Sequence, residues 1–473
     1  MVWFTIDRQS SVPLIHQIYI ELSERILRGE LKAGAAIPSS RQLAAELHVS
    51  RNVVLQAYDQ LQAEGYIESQ YGSGTFVSEG ASFPESGERM VEPFIPEMEV
   101  LEMKQRSGDS SYISFRSGTP ALDLFPRSKW ARLAQRIILE SPESAFGYGQ
   151  PEGREELRKA LTAYLLRSRG VRCHPSQLVI TSGATQAISL IGRLLGGEGR
   201  TAILEDPITR DIQTIFASLG AQLHPIPVDE QGMLTQQLPS DYRPSFIYLT
   251  PSHQFPTGGT LPIQRRIQLI EYARTTGCYL VEDDYDSEFR YEGAPVSALQ
   301  GLEPDKVIYI GTLSKILSPA LRMGYIIFPH PLIEKGRRLK WFSDLHTPSL
   351  EQLTLAHFIE EGHLERHVLK MKRVYRKRRD MLIRLLKETF GEQVTIRGQG
   401  TGLHLIADFQ GIQFTEELLA ELDHEGVGLQ AVEKHAMEKG KREGQVILGF
   451  GHLTELEMAL GLRILKKVML QYE

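Results

Sequence analysis

Between residues 115 and 329 the chain repeats one pattern, in which short apolar runs are separated by stretches of helical character. The runs are Leu178-Val-Ile-Thr, Ala202-Ile-Leu, Phe246-Ile-Tyr-Leu, Cys278-Tyr-Leu-Val, Val307-Ile-Tyr-Ile and Tyr325-Ile-Ile-Phe. Runs this short and this apolar read as buried strands. Strands that alternate with helices are joined by crossovers, which predicts an α/β domain around a mainly parallel sheet. Ligands in such a domain gather beyond the carboxyl ends of the strands, so the residues just after each run are where chemistry is expected.

Two runs flank a turn rich in Gly, Ser and Pro that carries Thr312, Ser314, Lys315 and, seven residues after the lysine, Arg322. A lysine between two buried strands is desolvated or employed. Desolvation yields the neutral amine, which can attack a carbonyl and form a Schiff base. The cofactor this suggests is pyridoxal phosphate (PLP), with the Thr312 hydroxyl and the Arg322 guanidinium on its phosphate. A surface turn with an ordinary lysine is the plain alternative. Thr181-Ser-Gly183-Ala184-Thr185 follows a strand and opens a helix, so its N–H groups and dipole form an anion site. Val281-Glu-Asp283-Asp-Tyr285-Asp also follows a strand. A buried carboxylate there needs a cation, such as the pyridinium nitrogen of PLP. The competing reading is a Mg²⁺ or Ca²⁺ cluster, since four carboxylates lie within Glu282 to Asp286.

The first 79 residues read as a small helical unit closed by a hairpin. Leu14, Ile18, Leu22, Ile26 and Leu27 place a helix over Val12 to Leu31. Ser39 and Gln42 form a capping box for a second helix ending near Leu47, and His48-Val49 makes a short turn. Ser50 caps a third helix over 51–64, and Gly65 stops it. Two helices joined by so short a turn make a helix-turn-helix, whose second helix can enter the DNA major groove. Its first turns carry Arg51, Asn52 and Gln56, side chains that read guanine or adenine bidentately. Residues 66–77 form a hairpin, a wing, with a Gly-Ser-Gly tip ending at Gly74. Six basic residues stand against nine acidic ones over residues 1–79, a balance that favours a protein-interaction module over DNA binding; the order of motifs points the other way.

A chain of 473 residues exceeds one core and suggests two or three domains. The net charge of -6 argues against wholesale coating of nucleic acid or anionic membrane. The two cysteines, Cys173 and Cys278, have no metal-ligand spacing, which suits a reducing cytoplasm. No leader pattern or membrane-spanning apolar run is evident. Residues 80–111 mix Pro, Ser, Gly and Glu without a period and read as a linker. The domains expected are then a DNA-binding unit at 1–79, a large domain at 112–329 and a small α+β C-terminal domain at 330–473. In the last, Leu353 to Phe390 reads as a long helical stretch with basic residues from Lys370 to Arg379, a solvated face or a surface for DNA phosphate or a second chain. Gly398-Gln-Gly-Thr-Gly402-Leu-His404 reads as a turn lining the cleft.

The order P-S-x-R-x-L-A, V-S-R, G-Y and G-S-G-T-F-V within residues 38–77 resembles the winged helix-turn-helix of GntR-type bacterial regulators. The resemblance implies DNA contacts at Arg41, Arg51 and Gly74; it departs at Val53, where that family often has Thr. Residues 112–473 carry F-R-S-G-T-P (115–120), L-F-P (124–126), Y-G-Q-P-E-G-R-E-E-L-R (148–158), S-G-A-T-Q-A, T-P-S-H-Q-F-P-T-G (250–258), E-D-D-Y-D-S-E-F and G-T-L-S-K. These resemble fold type I PLP enzymes of the aminotransferase class. With both parts together, the chain resembles MocR/GabR-type transcriptional regulators. The resemblance implies Lys315 as the Schiff base, Asp283 on the ring nitrogen, Tyr285 on the ring hydroxyl, and phosphate held by Gly183, Ala184, Thr185, Thr312 and Arg322. Tyr148 would reach the phosphate of a second subunit, which implies a homodimer, head-to-tail, on double-stranded operator DNA.

Three departures from true aminotransferases bear on function. Their Asn-Pro-Thr-Gly reads Phe255-Pro-Thr-Gly, with His253 and Gln254 as possible substitutes for the Asn. The aromatic residue expected after a Glu-x-Pro turn is absent from Glu205-Asp-Pro-Ile-Thr209-Arg210. The arginine of an R-x-x-F-A phrase, which clamps a substrate α-carboxylate, reads Ile447-Leu-Gly-Phe450-Gly. These changes favour a regulator that senses an amino acid or amine by forming an external aldimine. A catalytically active aminotransferase with an attached DNA unit remains the alternative, if Arg210 or Arg397 takes the clamp's place. A cofactorless fold that only dimerises the DNA unit is a third reading.

Overall fold

A computed structural model describes residues 4–10, 12–70, 74–81 and 112–472. They form two compact units, one within residues 1–105 and one within 106–473. The expected linker beyond Ala81 and the wing tip at Tyr71–Ser73 lie outside the described residues.

The N-terminal unit runs α1 (Leu14–Leu27), β1 (Ala36–Ile37), α2 (Ser40–Glu46), α3 (Arg51–Ala63), β2 (Ile67–Gln70) and β3 (Gly74–Val77). α1 is shorter than Val12–Leu31. Pro13 occupies its N-cap, and Gly29 turns left-handed at φ 74° just after its end. Ile18, Leu22 and Ile26 are fully buried together with Val54, Ala57 and Leu61 of α3 in one apolar cluster. The Ser39 hydroxyl accepts from the Gln42 N–H at 3.3 Å, capping α2, whereas Ser50 holds the N-cap position of α3 without a side-chain bond. The three strands pair antiparallel in the order β1-β3-β2, so a short strand unforeseen from sequence completes the wing.

The C-terminal unit contains strands β4 (Ile113–Ser114), β5 (Leu178–Thr181), β6 (Thr201–Asp206), β7 (Gln222–Asp229), β8 (Gly232–Met233), β9 (Phe246–Leu249), β10 (Tyr279–Asp284), β11 (Val307–Thr312) and β12 (Gly324–Ile327). After these come β13 (Val394–Arg397), β14 (His404–Phe409), β15 (Val427–Gly428), β16 (Gln430–Ala431) and β17 (Gln445–Gly449). Its helices are α4 (Arg127–Glu140), α5 (Glu155–Arg169), α6 (Ala184–Leu195), α7 (Arg210–Ser218), α8 (Ile263–Thr276), α9 (Ile333–Asp344), α10 (Ser349–Glu360), α11 (His363–Phe390), α12 (Glu416–His424) and α13 (Glu455–Met469).

Eight strands form one sheet in the order β5-β12-β11-β10-β9-β6-β7-β8. Its centre is parallel, as expected. β12 runs antiparallel to both neighbours, and β8 antiparallel to β7. A second, antiparallel sheet of four strands, β13-β14-β17-β16, builds a core with α11, α12 and α13. The chain reaches that core early, because β4 pairs with β15 and Phe115 is fully buried there. The long helical stretch expected over Leu353–Phe390 consists of two helices, α10 and α11, separated at Gly362 with φ 68°. A left-handed residue cannot continue a right-handed helix. No helix among the described residues is long and apolar enough to cross a membrane.

Candidate functional site

All six residues of β11 are buried, and Lys315 lies in the turn that leaves it. The chain makes one 3₁₀ turn at Pro319–Leu321, reverses at Arg322 with φ 48°, and returns as β12. Burial destabilises the Lys315 ammonium. Asp286 and Asp283 oppose that effect and Arg116 adds to it, leaving the pKa below the ordinary lysine value. The lysine packs against the segment after β4: a Cβ on Gly118, whose φ is 67°, would lie 2.7 Å from Lys315 Nζ.

The carboxylates at the end of β10 take separate partners. Glu282 accepts from the N–H groups of Leu299 and Gln300, both at 2.9 Å. Asp284 accepts from Arg169 Nε at 2.7 Å and from the Tyr309 hydroxyl. Burial alone would raise the Asp284 pKa, but Arg169 and these hydrogen bonds outweigh it and hold the carboxyl below its usual range. Asp286 meets His253 Nδ1 at 2.7 Å, deep in the protein. Asp283 accepts from the Tyr248 hydroxyl on Oδ2, while its Oδ1 is buried with no partner among the described residues. Burial pushes its pKa up to about 6. The four acids therefore do not converge as a metal cluster would. Among the described residues the one His/Asp/Glu group close enough to share an ion is Glu421, His424 and Glu425, on and just after α12.

Register brings the expected anion cradle together. Thr312 of β11 pairs with Gly324 of β12, which pairs with Thr181 of β5. A Cβ on Gly324 would lie 2.9 Å from the Gly183 carbonyl carbon, so only glycine lets these backbones meet. Gly183 has φ 105° and N-caps α6, with no side chain capping the first turn. The N–H groups of the first turn therefore face outward unbonded by the helix. α6 is anchored by buried Ile188, Leu190, Ile191 and Leu195. At roughly 1.5–3 kcal/mol for each buried Leu or Ile, that holds the helix start rigidly. The exposed Arg322 guanidinium lies over this start: a Cβ on Gly183 would sit 3.0 Å from Nη2. Ala184 and Thr185 open the helix, and the Thr312 and Ser314 hydroxyls lie 3.1 Å apart beside it in the lysine turn.

The Tyr285 hydroxyl lies 3.0 Å from His253 Nδ1, and its ring stacks on the imidazole with centroids 5.5 Å apart. Of the two substitutes named for the missing Asn, His253 thus reaches Tyr285. Gln254 is spent on its own loop, donating to the Pro207 carbonyl at 2.9 Å and accepting from Thr257 N–H at 3.0 Å. The glycine-rich turn packs directly on the pair of His253 and Asp286, since a Cβ on Gly402 would collide with both. Ile447 is fully buried with Ile406 and Val432, and the partly buried Phe255 packs against them. Arg397 pairs with Glu230 at 2.5 Å and Asp408 at 3.4 Å, while Arg210 is exposed at the start of α7. Tyr148 is 85% exposed and touches His346 edge-on. Sequence reasoning missed the roles of Tyr248, Arg169 and Asp286. The one available signal was a hydroxyl or charge inside an otherwise apolar segment.

In the N-terminal unit, Val54, Ala57, Tyr58 and Leu61 turn inward, which leaves Arg51, Asn52 and Gln56 exposed on the opposite face of α3. Arg51 Nε donates to Ser40 Oγ at 3.3 Å, and Arg41 is exposed in the first turn of α2. Gly74 opens β3 at φ 117°. The excess acid is partly spent on α1, where Glu21 and Glu24 pair with Arg25 and Arg28.

Comparison with known proteins agrees with both halves. Residues 14–77 match the gntR family of bacterial regulatory proteins, and residues 110–433 match aminotransferase class I and II. The chain is 34% identical to the probable rhizopine catabolism regulatory protein MocR of Rhizobium meliloti, over 99% of this chain and 96% of that one. It is 31% identical to the HTH-type pyridoxine biosynthesis transcriptional regulator PdxR of Corynebacterium glutamicum, over 94% of this chain and 93% of that one. In structure it resembles the kynurenine aminotransferase of Pyrococcus horikoshii, solved with PMP, kynurenine and kynurenic acid. The TM-score is 0.71 at 27% identity, covering 77% of this chain and 92% of that one. With a helix-turn-helix in front and an aminotransferase-like sheet behind, the chain belongs to the MocR-type family of GntR-class transcriptional regulators.

Proposed function

We propose that this regulator binds PLP on Lys315 and responds to an amino acid or amine that takes the lysine's place. The observation that carries the reading is Asp283: a buried carboxylate with one oxygen lacking any partner among the described residues, near a desolvated lysine and an anion cradle. A ring bearing a cationic N–H at one end and a phosphate at the other suits those features. When bound, PLP supplies a carbonyl carbon that can pass from one amine to another and a ring that withdraws electrons.

The residues divide the work by chemical type. Asp283 Oδ1 accepts the ring N–H, and the Tyr248 hydroxyl holds the other oxygen in place. Tyr285, braced by His253, which is fixed in turn by Asp286, contacts the ring hydroxyl. The N–H groups of Gly183, Ala184 and Thr185, the Thr312 hydroxyl and the Arg322 fork hold the phosphate. Desolvation of Lys315 favours its neutral, nucleophilic amine. Tyr148 serves the cradle of a second copy; its exposure, with that of Leu139, Phe146 and Phe342, supports a homodimer. Arg51, Asn52 and Gln56 read base edges, and Arg41 and Gly74 contact the backbone of an operator with two half-sites.

Borohydride treatment of the full-length protein loaded with PLP should fix the cofactor on the peptide containing Lys315. Amines that change the absorbance should also change operator binding. Fixation elsewhere, or amines that alter the spectrum but leave DNA binding and promoter output untouched, would overturn the reading.

A further inference from the structure

Ile447 cannot hold a carboxylate, since it is sealed among apolar side chains. Most arginines of the unit that lie near the cleft are already committed. Arg169 is held by Asp284 and Ser252, and Arg397 by Glu230 and Asp408. Arg266 donates to the carbonyls of Leu261, Ser297 and Pro251, and Arg322 lies on the phosphate cradle.

Arg116 is different. Its guanidinium is exposed and has no partner among the described residues. Its backbone is fixed: Phe115 N–H donates to the Gly428 carbonyl and Phe115 O accepts from Gly449 N–H, each at 2.9 Å. Ile113 and Phe115 are buried in the small-sheet core while Ser114 and Arg116 are not, so extended-chain alternation turns Arg116 away from that core. A Cβ on Gly449, two residues beyond Ile447, would collide with the Arg116 carbonyl. Two residues further along, Gly118 lies against Lys315 Nζ. Arg116 is thus rooted between the strand that lost its clamp and the lysine, and its charge acts on Lys315. The Arg210 side chain also has no partner among the described residues, but it heads α7 beside His435 and is not among the charges that act on Lys315.

We infer that Arg116 is the anion-recognising residue of the effector site, so that the effector is an amine carrying a carboxylate rather than a simple amine. This rests on the proposed exchange at Lys315. A planar guanidinium holds a carboxylate through two parallel hydrogen bonds. Because it comes from a different segment than the lost clamp, it secures the acid without restoring the clamp's orientation of the rest of the ligand.

The test uses two reagents that take PLP from lysine whatever the natural effector is: aminooxyacetate, which has a carboxylate, and O-methylhydroxylamine, which has none. In the PLP-loaded full-length protein aminooxyacetate should react at least about tenfold faster, the range of one hydrogen bond to a charged group. Arg116→Gln should bring the ratio near one by slowing aminooxyacetate alone, Arg116→Lys should keep part of the preference, and Arg210→Gln should keep all of it. Propionate, which cannot react, should protect the wild type against both reagents and fail to protect Arg116→Gln. A ratio near one in the wild type, a ratio unchanged in Arg116→Gln, or a collapse in Arg210→Gln would overturn the inference. If neither reagent changes the wild-type spectrum, no exchangeable cofactor is on Lys315 and the proposed function fails with it.

Discussion

Replacing Asp283 by Asn should stabilise the cofactor-free protein while weakening its hold on PLP. Asp283 is buried, and its pKa is pushed from 3.8 to about 6, by burial first. Below about pH 3.8 the acid is protonated folded or unfolded and costs nothing. Between the two values the folded state binds more protons than the unfolded one, so stability falls as pH rises through that window. Above about 6 the full cost is present, at most about 3 kcal/mol from the size of the rise. Asn keeps the shape and an oxygen for the Tyr248 hydroxyl but carries no charge. Urea unfolding of cofactor-free wild type and Asp283→Asn should therefore give nearly equal stabilities at pH 4 and a variant advantage approaching that figure at pH 8. Adding PLP should reverse the order, since only the wild type meets the ring cation with a charge. A stability difference that stays constant from pH 4 to 8, or equal PLP affinity in the two proteins, would refute the assignment of Asp283.

Gly183→Ala should lower stability by about 1–3 kcal/mol, because φ near 105° is a glycine conformation. Its methyl group should also displace Arg322, raising the PLP dissociation constant about tenfold or more by equilibrium dialysis; an unchanged constant would remove Gly183 and Arg322 from the cradle. Arg51→Ala should weaken operator binding by about 1–3 kcal/mol and relax base preference at one position in each half-site; a footprint with uniform weakening would make Arg51 a phosphate contact. Multiple turnover with an amino acid and a keto acid should stay well below about 1 per second, and steady-state transamination at that rate or faster, with no effect of the same amine on transcription, would favour the enzyme reading.

The sheet was legible wherever strands were apolar on both faces, because burial on two sides leaves little choice of residue. β7 was not: Gln222-Leu-His-Pro-Ile-Pro-Val-Asp holds two prolines and is largely half-exposed, as suits a strand near the sheet's edge. The reversal of β12 was equally hidden, since apolar strands look alike in either direction; the left-handed turn at Arg322 makes it, in a residue with no glycine signal. Lys315, Asp283 and Gly183 could be singled out because each sits just beyond a run, where the sheet ends. Their helpers could not. Asp286 and His253 lie 33 residues apart and meet only through folding, and Arg169 reaches Asp284 from the end of α5.

Asp283 Oδ1, Asp286 Oδ2 and His253 Nε2 are buried without a partner among the described residues. Each is the kind of group that destabilises a core unless a ligand satisfies it. If PLP binds there as proposed, it would remove several penalties together, and mass action would then tie the stability of this unit to cofactor occupancy. Regulation asks for something further. An amine shifts the protein between two states only by as much as it binds one better than the other. Under the proposed function, an amine that took the lysine's place would leave the Lys315 amine free near the charges of Asp286 and Asp283, and would so change the electrostatic balance of the site. That difference in free energy would be available whether or not the amine is ever turned over, so an apolar residue at Ile447 is compatible with retention of every residue proposed to hold the cofactor.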